Sequence, residues 1–150
     1  MNLTAVFESW HVGDGNYPPL TVGQLVNLSF EFEPRTINAV ESGTVDCFEA
    51  LGNAEYRFCG AVVRVYEDRP PIAIIEANGF RFYLSASRDQ FIEGARYCGE
   101  GTLLLDHNHA FTGCFWPDVD QYEPDVCRFL QFVLKPGGTL VICGATSGDN

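Results

Sequence analysis

In Ile72-Ala73-Ile74-Ile75-Glu76-Ala77-Asn78-Gly79-Phe80-Arg81-Phe82-Tyr83-Leu84-Ser85, two runs rich in β-branched and aromatic residues flank an Asn-Gly pair. Asn-Gly supplies the two positive φ values of a type I′ turn, whose twist matches that of the strands on either side. A two-residue loop leaves one register. It pairs Ala77 with Phe80, Glu76 with Arg81, Ile75 with Phe82 and Ile74 with Tyr83. The opposed Glu76 and Arg81 then contribute roughly 0.2–1 kcal/mol. The chain is therefore built at least in part from antiparallel hairpins.

Upstream, Tyr56 to Glu67 predicts a long strand with faces Cys59, Ala61, Val63, Val65 and Tyr56, Phe58, Val62, Tyr66. Apolar groups on both faces imply a central or strongly curved strand, and Gly60 suits a bend or bulge. Asp68-Arg69-Pro70-Pro71 ends it. Earlier still, Gln24 to Glu33 alternates, with Leu28, Phe30 and Phe32 on one face and Asn27, Ser29, Glu31 and Glu33 on the other. Pro34 is expected to close that strand. A first strand from Leu3 to Val12 runs into the turn residues Gly13-Asp14-Gly15-Asn16.

Downstream, Ser87 and Gln90 stand in capping-box spacing and predict a short helix within Ser87 to Tyr97. Strands are expected at Thr102 to His107 and Ala110 to Trp116. Over Glu123 to Lys135, Val126, Phe129, Leu130, Val133 and Leu134 form a helical stripe with Pro124 at the first helical position. Strand alternation also survives there; helix is the expectation. Pro136-Gly137-Gly138 stops that element, and Thr139 to Cys143 reads as a last strand. The sum is a single, mainly β domain over residues 1–150. It is a curled antiparallel sheet or small barrel with one or two short helices, with an α+β arrangement as the variant.

Composition narrows the function. Of 150 residues, 46% are hydrophobic and 19% charged, which is globular rather than disordered. Nine Lys and Arg against 20 Asp and Glu give a net charge of -11. That balance disfavours nucleic acid and anionic membranes, both of which are bound largely through cations. No apolar run approaches the ~20 residues of a membrane span. The first residues show neither a basic leader nor a long apolar core, so a cytoplasmic protein is expected. On that basis the six cysteines, at 47, 59, 98, 114, 127 and 143, are expected as reduced thiols packed like small apolar residues. No CxxC pair is present.

The tail from Leu134 through Lys135-Pro136-Gly137-Gly138 to Gly148 resembles the helix–turn–strand late in the nucleotide-binding domain of medium-chain alcohol dehydrogenases. A similar Lys-Pro-Gly-Gly turn occurs in class I methyltransferases that use S-adenosylmethionine. The resemblance covers about a tenth of the chain and implies a helix, a glycine turn and a buried strand. The dinucleotide fingerprint G-x-G-x-x-G is missing, because Gly13-Asp14-Gly15 runs into Asn16, Tyr17 and two prolines. No cofactor residue carries over.

Asp106-His107-Asn108-His109 is the most suggestive cluster. On an extended strand His107 and His109 share a face and suit one zinc ion, with Cys114 or His11 as third ligand and Asp106 fixing a tautomer. The same residues also fit a solvent-facing turn. Asp118, Asp120, Glu123 and Asp125 offer oxygen ligands for a hard cation, or a solvated loop near a helix N-terminus. Glu31 and Glu33 are either an acid–base pair or the wet side of a strand. Trp10, Tyr17, Phe115, Trp116 and Tyr122 lie near turns and acids, which suits interface anchors and a covered core edge equally well.

The preferred expectation is a non-catalytic acidic interaction protein of inhibitor, immunity or accessory type. It recognises a basic protein through Trp10, Trp116, Asp118, Asp120, Tyr122 and Glu123 and needs no cofactor. Two other readings stand beside it: a small zinc hydrolase using His107 and His109, and a barrel holding a small apolar ligand.

Overall fold

The structure, a computed structural model, describes residues 2–8, 22–23, 25–26, 30–66, 72–85, 91–105, 127–134 and 140–147. All regular structure among them is strand, and none is helical. Two compact units divide the chain, Phe30–Leu103 being one and Met1–Ser29 with Leu104–Asn150 the other.

The first of these units carries β3 (Phe30–Val40), β4 (Cys47–Gly52), β5 (Glu55–Tyr66), β6 (Ile72–Ala77), β7 (Phe80–Ser85) and most of β8 (Arg96–Leu105). The expected hairpin is β6–β7, and its register is the one that the Asn-Gly turn dictates: Ala77 faces Phe80, Glu76 faces Arg81, Ile75 faces Phe82 and Ile74 faces Tyr83. Asn78 and Gly79 adopt φ of 51° and 82°. Arg81 Nε donates to Glu76 Oε2 at 2.7 Å.

β7 then pairs in parallel with β3, β3 lies beside β8, and β8 returns antiparallel to β5. Five strands thus close into a barrel, in the order β5-β6-β7-β3-β8, and closure removes the free edges that an open sheet would leave. The long β5 is shared. Glu55 to Cys59 is flanked by β4 and β8, the β8 pairing continues to Ala61, and from Ala61 onward β5 pairs with β6.

The inward residues of β5 are Tyr56, Phe58, Gly60 and Val62. Phe32, Phe58 and Phe82 form a triangle of rings with centroids 5.0–5.3 Å apart, and Phe48, Tyr56 and Phe80 extend it. Phe32, Phe58 and Phe82 are at most 2% exposed. These aromatic side chains pack together in the interior of the barrel.

Filling so narrow a barrel brings backbones into contact. A Cβ on Gly101 of β8 would stand 2.8 Å from Pro34 Cα, and one on Gly60 would stand 2.9 Å from Ala77 Cβ. At Gly101 the obstacle is main chain, which cannot rotate away. Gly101→Ala is accordingly expected to lose about 1–3 kcal/mol by overpacking, read as a lower urea midpoint at unchanged m-value.

The other unit contains β1 (Asn2–Glu8), β2 (Leu25–Val26), β9 (Cys127–Leu134) and β10 (Leu140–Ser147), together with the end of β8. Its strands run β2-β10-β9-β1, and β1 meets β8 in parallel at Val6 and Leu104. Leu3, Ala5, Leu105 and Phe132 are fully or almost fully buried there.

Several expectations are corrected. β3 runs through Pro34 to Val40; from Glu33 to Thr36 it is exposed, the setting in which a strand tolerates proline. No helix occupies Phe91 to Tyr97: Gly94 takes φ 84°, Ala95 N–H donates to the Ile92 carbonyl at 3.0 Å, and β8 begins at Arg96. The helix expected over Glu123 to Lys135 is strand from Cys127 to Leu134. β1 and β10 offer it ladder partners on both edges, and tertiary pairing overrides the helical stripe. Leu134 thus ends a strand of an antiparallel pair, which removes the helix–turn–strand resemblance of the tail. A strand over the last stretch is present, longer than expected and with a register shift between Ile142 and Gly144. The strand expected at Thr102 to His107 is the end of β8; residues 106–116 lie outside the described ones.

Candidate functional site

Asn53 and Ala54 turn the chain between β4 and β5, with Asn53 at φ 45°, Gly52 paired to Glu55 and a register shift between Ala50 and Gly52. The resulting register sets Cys47 opposite Cys59 and Glu49 opposite Arg57. On the other edge of β5, Cys59 faces Cys98, Arg57 faces Glu100 and Glu55 faces Thr102. Because Tyr56 and Phe58 point inward, strand alternation turns Glu55, Arg57 and Cys59 to the outer face. That face therefore carries cross-strand rows of polar and sulfur side chains over β4, β5 and β8.

One row is sulfur. Cys59 and Cys98 form a disulfide, with their Cα atoms 4.1 Å apart, and Cys47 is a half-buried free thiol. The expectation of reduced cysteines is corrected for this pair, since the barrel register places the two directly opposite each other. Burial pushes the Cys47 thiol above its ordinary pKa, and the charges of Glu49 and Asp46 act in the same direction. The Cys59 backbone N–H and the Arg57 charge oppose them.

The next row is ionic. Arg57 donates to Glu100 Oε1 from Nε at 3.0 Å and from Nη2 at 2.8 Å, and its Nη1 lies 4.0 Å from Glu49 Oε2. Glu100 thereby holds the Arg57 guanidinium pKa above its already high value. At the far end Glu55 pairs with Arg35 and accepts from Thr102 Oγ1 at 3.1 Å.

Asp46, just before β4, pairs with Arg96 and accepts from the Asn78 backbone N–H at 3.2 Å. The Arg96 hydrogen bond is the main cause that lowers the Asp46 pKa, aided by the Asn78 N–H and opposed by burial. A carboxylate with a depressed folded pKa contributes stability that is complete above its unfolded pKa of ~3.9 and is lost as pH falls through the lower folded value. Asp46→Asn should lower stability at neutral and basic pH without changing the slope there, and should flatten the acid limb of the profile below about pH 4, as measured by urea unfolding across pH. An unchanged acid limb in the variant would remove Asp46 as a contributor.

His107, His109, Cys114, Trp10, Trp116, Asp118, Asp120, Tyr122 and Glu123 all lie outside the described residues, as do His11, Asp106 and Asp125. Glu31 is half-buried on β3 and Glu33 is exposed. Among the described residues no group of three His, Cys, Asp or Glu is arranged to hold a metal ion, and no helix is long and apolar enough to cross a membrane. Reading for motifs missed the sulfur row because it missed β4. Gly52-Asn53 is hairpin turn chemistry, but a plain two-residue turn would not set Cys47 opposite Cys59; the register shift between Ala50 and Gly52 does, and no local pattern announces it. No protein-family model, curated protein or solved structure matches the chain.

Proposed function

We propose that this protein is a non-catalytic acidic interaction module that recognises a basic protein partner, as an inhibitor, immunity-type or accessory protein does. One observation carries the reading: among the described residues of the barrel unit, the arginines are already engaged. Arg35, Arg57, Arg81 and Arg96 each pair with a neighbouring carboxylate, and the Arg64 guanidinium sits 4.6 Å from the Tyr66 ring centre. Positive charge is thus neutralised close to where it stands, and the net -11 of the chain acts outward on whatever approaches. Such a field accelerates encounter with a cationic surface and is screened over ~8 Å at physiological ionic strength.

The aromatic and acidic residues Trp10, Trp116, Asp118, Asp120, Tyr122 and Glu123 are the contact set in this reading. We place the protein in the cytoplasm, where a Cys59–Cys98 bond belongs to the exchanging kind rather than the purely structural kind.

The test is the association rate with a partner captured at low salt, measured between about 50 and 500 mM NaCl. The rate should fall at least ~10-fold over that range, and Trp116→Ala should weaken the complex by about 2 kcal/mol or more. A rate indifferent to salt would overturn the steering argument.

A further inference from the structure

We propose that Cys47, Cys59 and Cys98 form a thiol–disulfide exchange centre, in which the bond to Cys59 moves between Cys98 on β8 and Cys47 on β4. The argument starts from register. Cys59 occupies the middle strand of three and is the direct cross-strand partner of Cys47 on one side and of Cys98 on the other. Directly opposed antiparallel residues have Cα atoms ~4.5–5.5 Å apart, within the span that a disulfide bridges. The same row across the sheet lines up three sulfurs, and displacement at a disulfide sulfur requires an attacker roughly in line with the leaving group. The three side chains share the outer face and all are half-buried, so they are sheltered yet reachable.

The step balances without any outside reagent. Cys47 gives up its proton, and its thiolate Sγ attacks Cys59 Sγ. A Cys47–Cys59 bond forms as the Cys59–Cys98 bond breaks. Cys98 leaves as a thiolate and takes up a proton. Nothing is oxidised or reduced overall; the free thiol passes from β4 to β8. The charged groups around the row then set the rate. Asp46 and Glu49 beside Cys47 on β4 disfavour its thiolate and Arg57 on β5 favours it, while Arg96 and Glu100 flank Cys98 on β8. Burial adds to the acids' effect at Cys47, so exchange is slow at neutral pH. It should gain roughly tenfold per pH unit as the thiolate is populated.

This inference is independent of the partner reading. The test uses the whole chain, oxidised, incubated from pH 7 to pH 9.5, quenched in acid and cleaved after Arg and Glu. Those cuts put Cys47, Cys59 and Cys98 on separate peptides (residues 42–49, 58–64 and 97–100), whose linkages mass spectrometry reads directly. The expected result is both Cys59–Cys98 and Cys47–Cys59 linked pairs, approaching a common ratio faster as pH rises. Cys98→Ser, treated with oxidised glutathione, should yield the Cys47–Cys59 pair as its main product. The proposal is overturned if Cys59 stays linked to Cys98 alone at every pH, or if Cys59 in Cys98→Ser remains unlinked to Cys47.

Discussion

Phe58→Ala is expected to cost about 3–5 kcal/mol and to lower the melting temperature by roughly 8–15 °C. Phe58 is 0% exposed and points into the barrel from β5. Its ring meets Phe32 edge-on with centroids 5.1 Å apart, and Phe82 at 5.0 Å with planes inclined by 72°. Truncation removes the burial of a whole ring and also both of these aromatic contacts, each worth about 0.5–1.5 kcal/mol beyond area. Collapse cannot recover the loss. The neighbouring strands are held by ladder bonds on both sides, and at Gly60 and Gly101 main chain already touches main chain or Cβ. Phe58→Leu keeps most of the volume and should cost distinctly less. Urea unfolding of both variants separates the outcomes, and near-equal, small losses would mean that the three rings do not form one packed cluster.

Cys59→Ser is expected to lose about 4 kcal/mol against the oxidised protein. The bond closes a loop with a sequence separation of 39, and constraining a loop of that length in the unfolded chain stabilises the fold by about 4 kcal/mol in the chain-entropy account. Cys98→Ser is not expected to match it. There Cys59 can join Cys47 instead and close a loop of about a dozen residues, worth about 3 kcal/mol on the same account. Under oxidising conditions Cys98→Ser should therefore lie about 1 kcal/mol below wild type. Under reducing conditions all three proteins should converge. Equal destabilisation of Cys59→Ser and Cys98→Ser in oxidant would show that Cys47 does not substitute for Cys98.

The hairpin of β6 and β7 was legible down to the residue, because Asn78-Gly79 permits one turn geometry and a two-residue loop permits one register. The strand character of β5 and the inward pair Phe30 and Phe32 were legible for a similar reason, since each rests on a local pattern of alternation; the close backbone approach at Gly60, read only as a bend or bulge, was not. The stretch from Cys127 to Leu134 was not. Phe129, Leu130, Val133 and Leu134 satisfy helical and extended spacing alike, and only the strands that flank it settle the choice. Pro34 misled in a similar way, since whether a strand survives a proline depends on whether a neighbour needs the missing N–H.

The candidate site divides along the same line. Charge excess is a property of the chain itself, so the net charge of -11 follows from the amino acids alone. So does the alternation that sorts β5 into an aromatic inner face and a polar outer one. The sulfur row does not follow from either. Cys59 and Cys98 are far apart along the chain, and they meet because the β6–β7 meander, the parallel return of β3 beside β7 and the closure of β8 onto β5 set one particular register. Local sequence determines turns and faces, since those depend on a few neighbouring residues and their torsions. Which cysteine stands opposite which, and which arginine is neutralised by which acid, depends on long-range pairing, and that is decided only when the barrel closes.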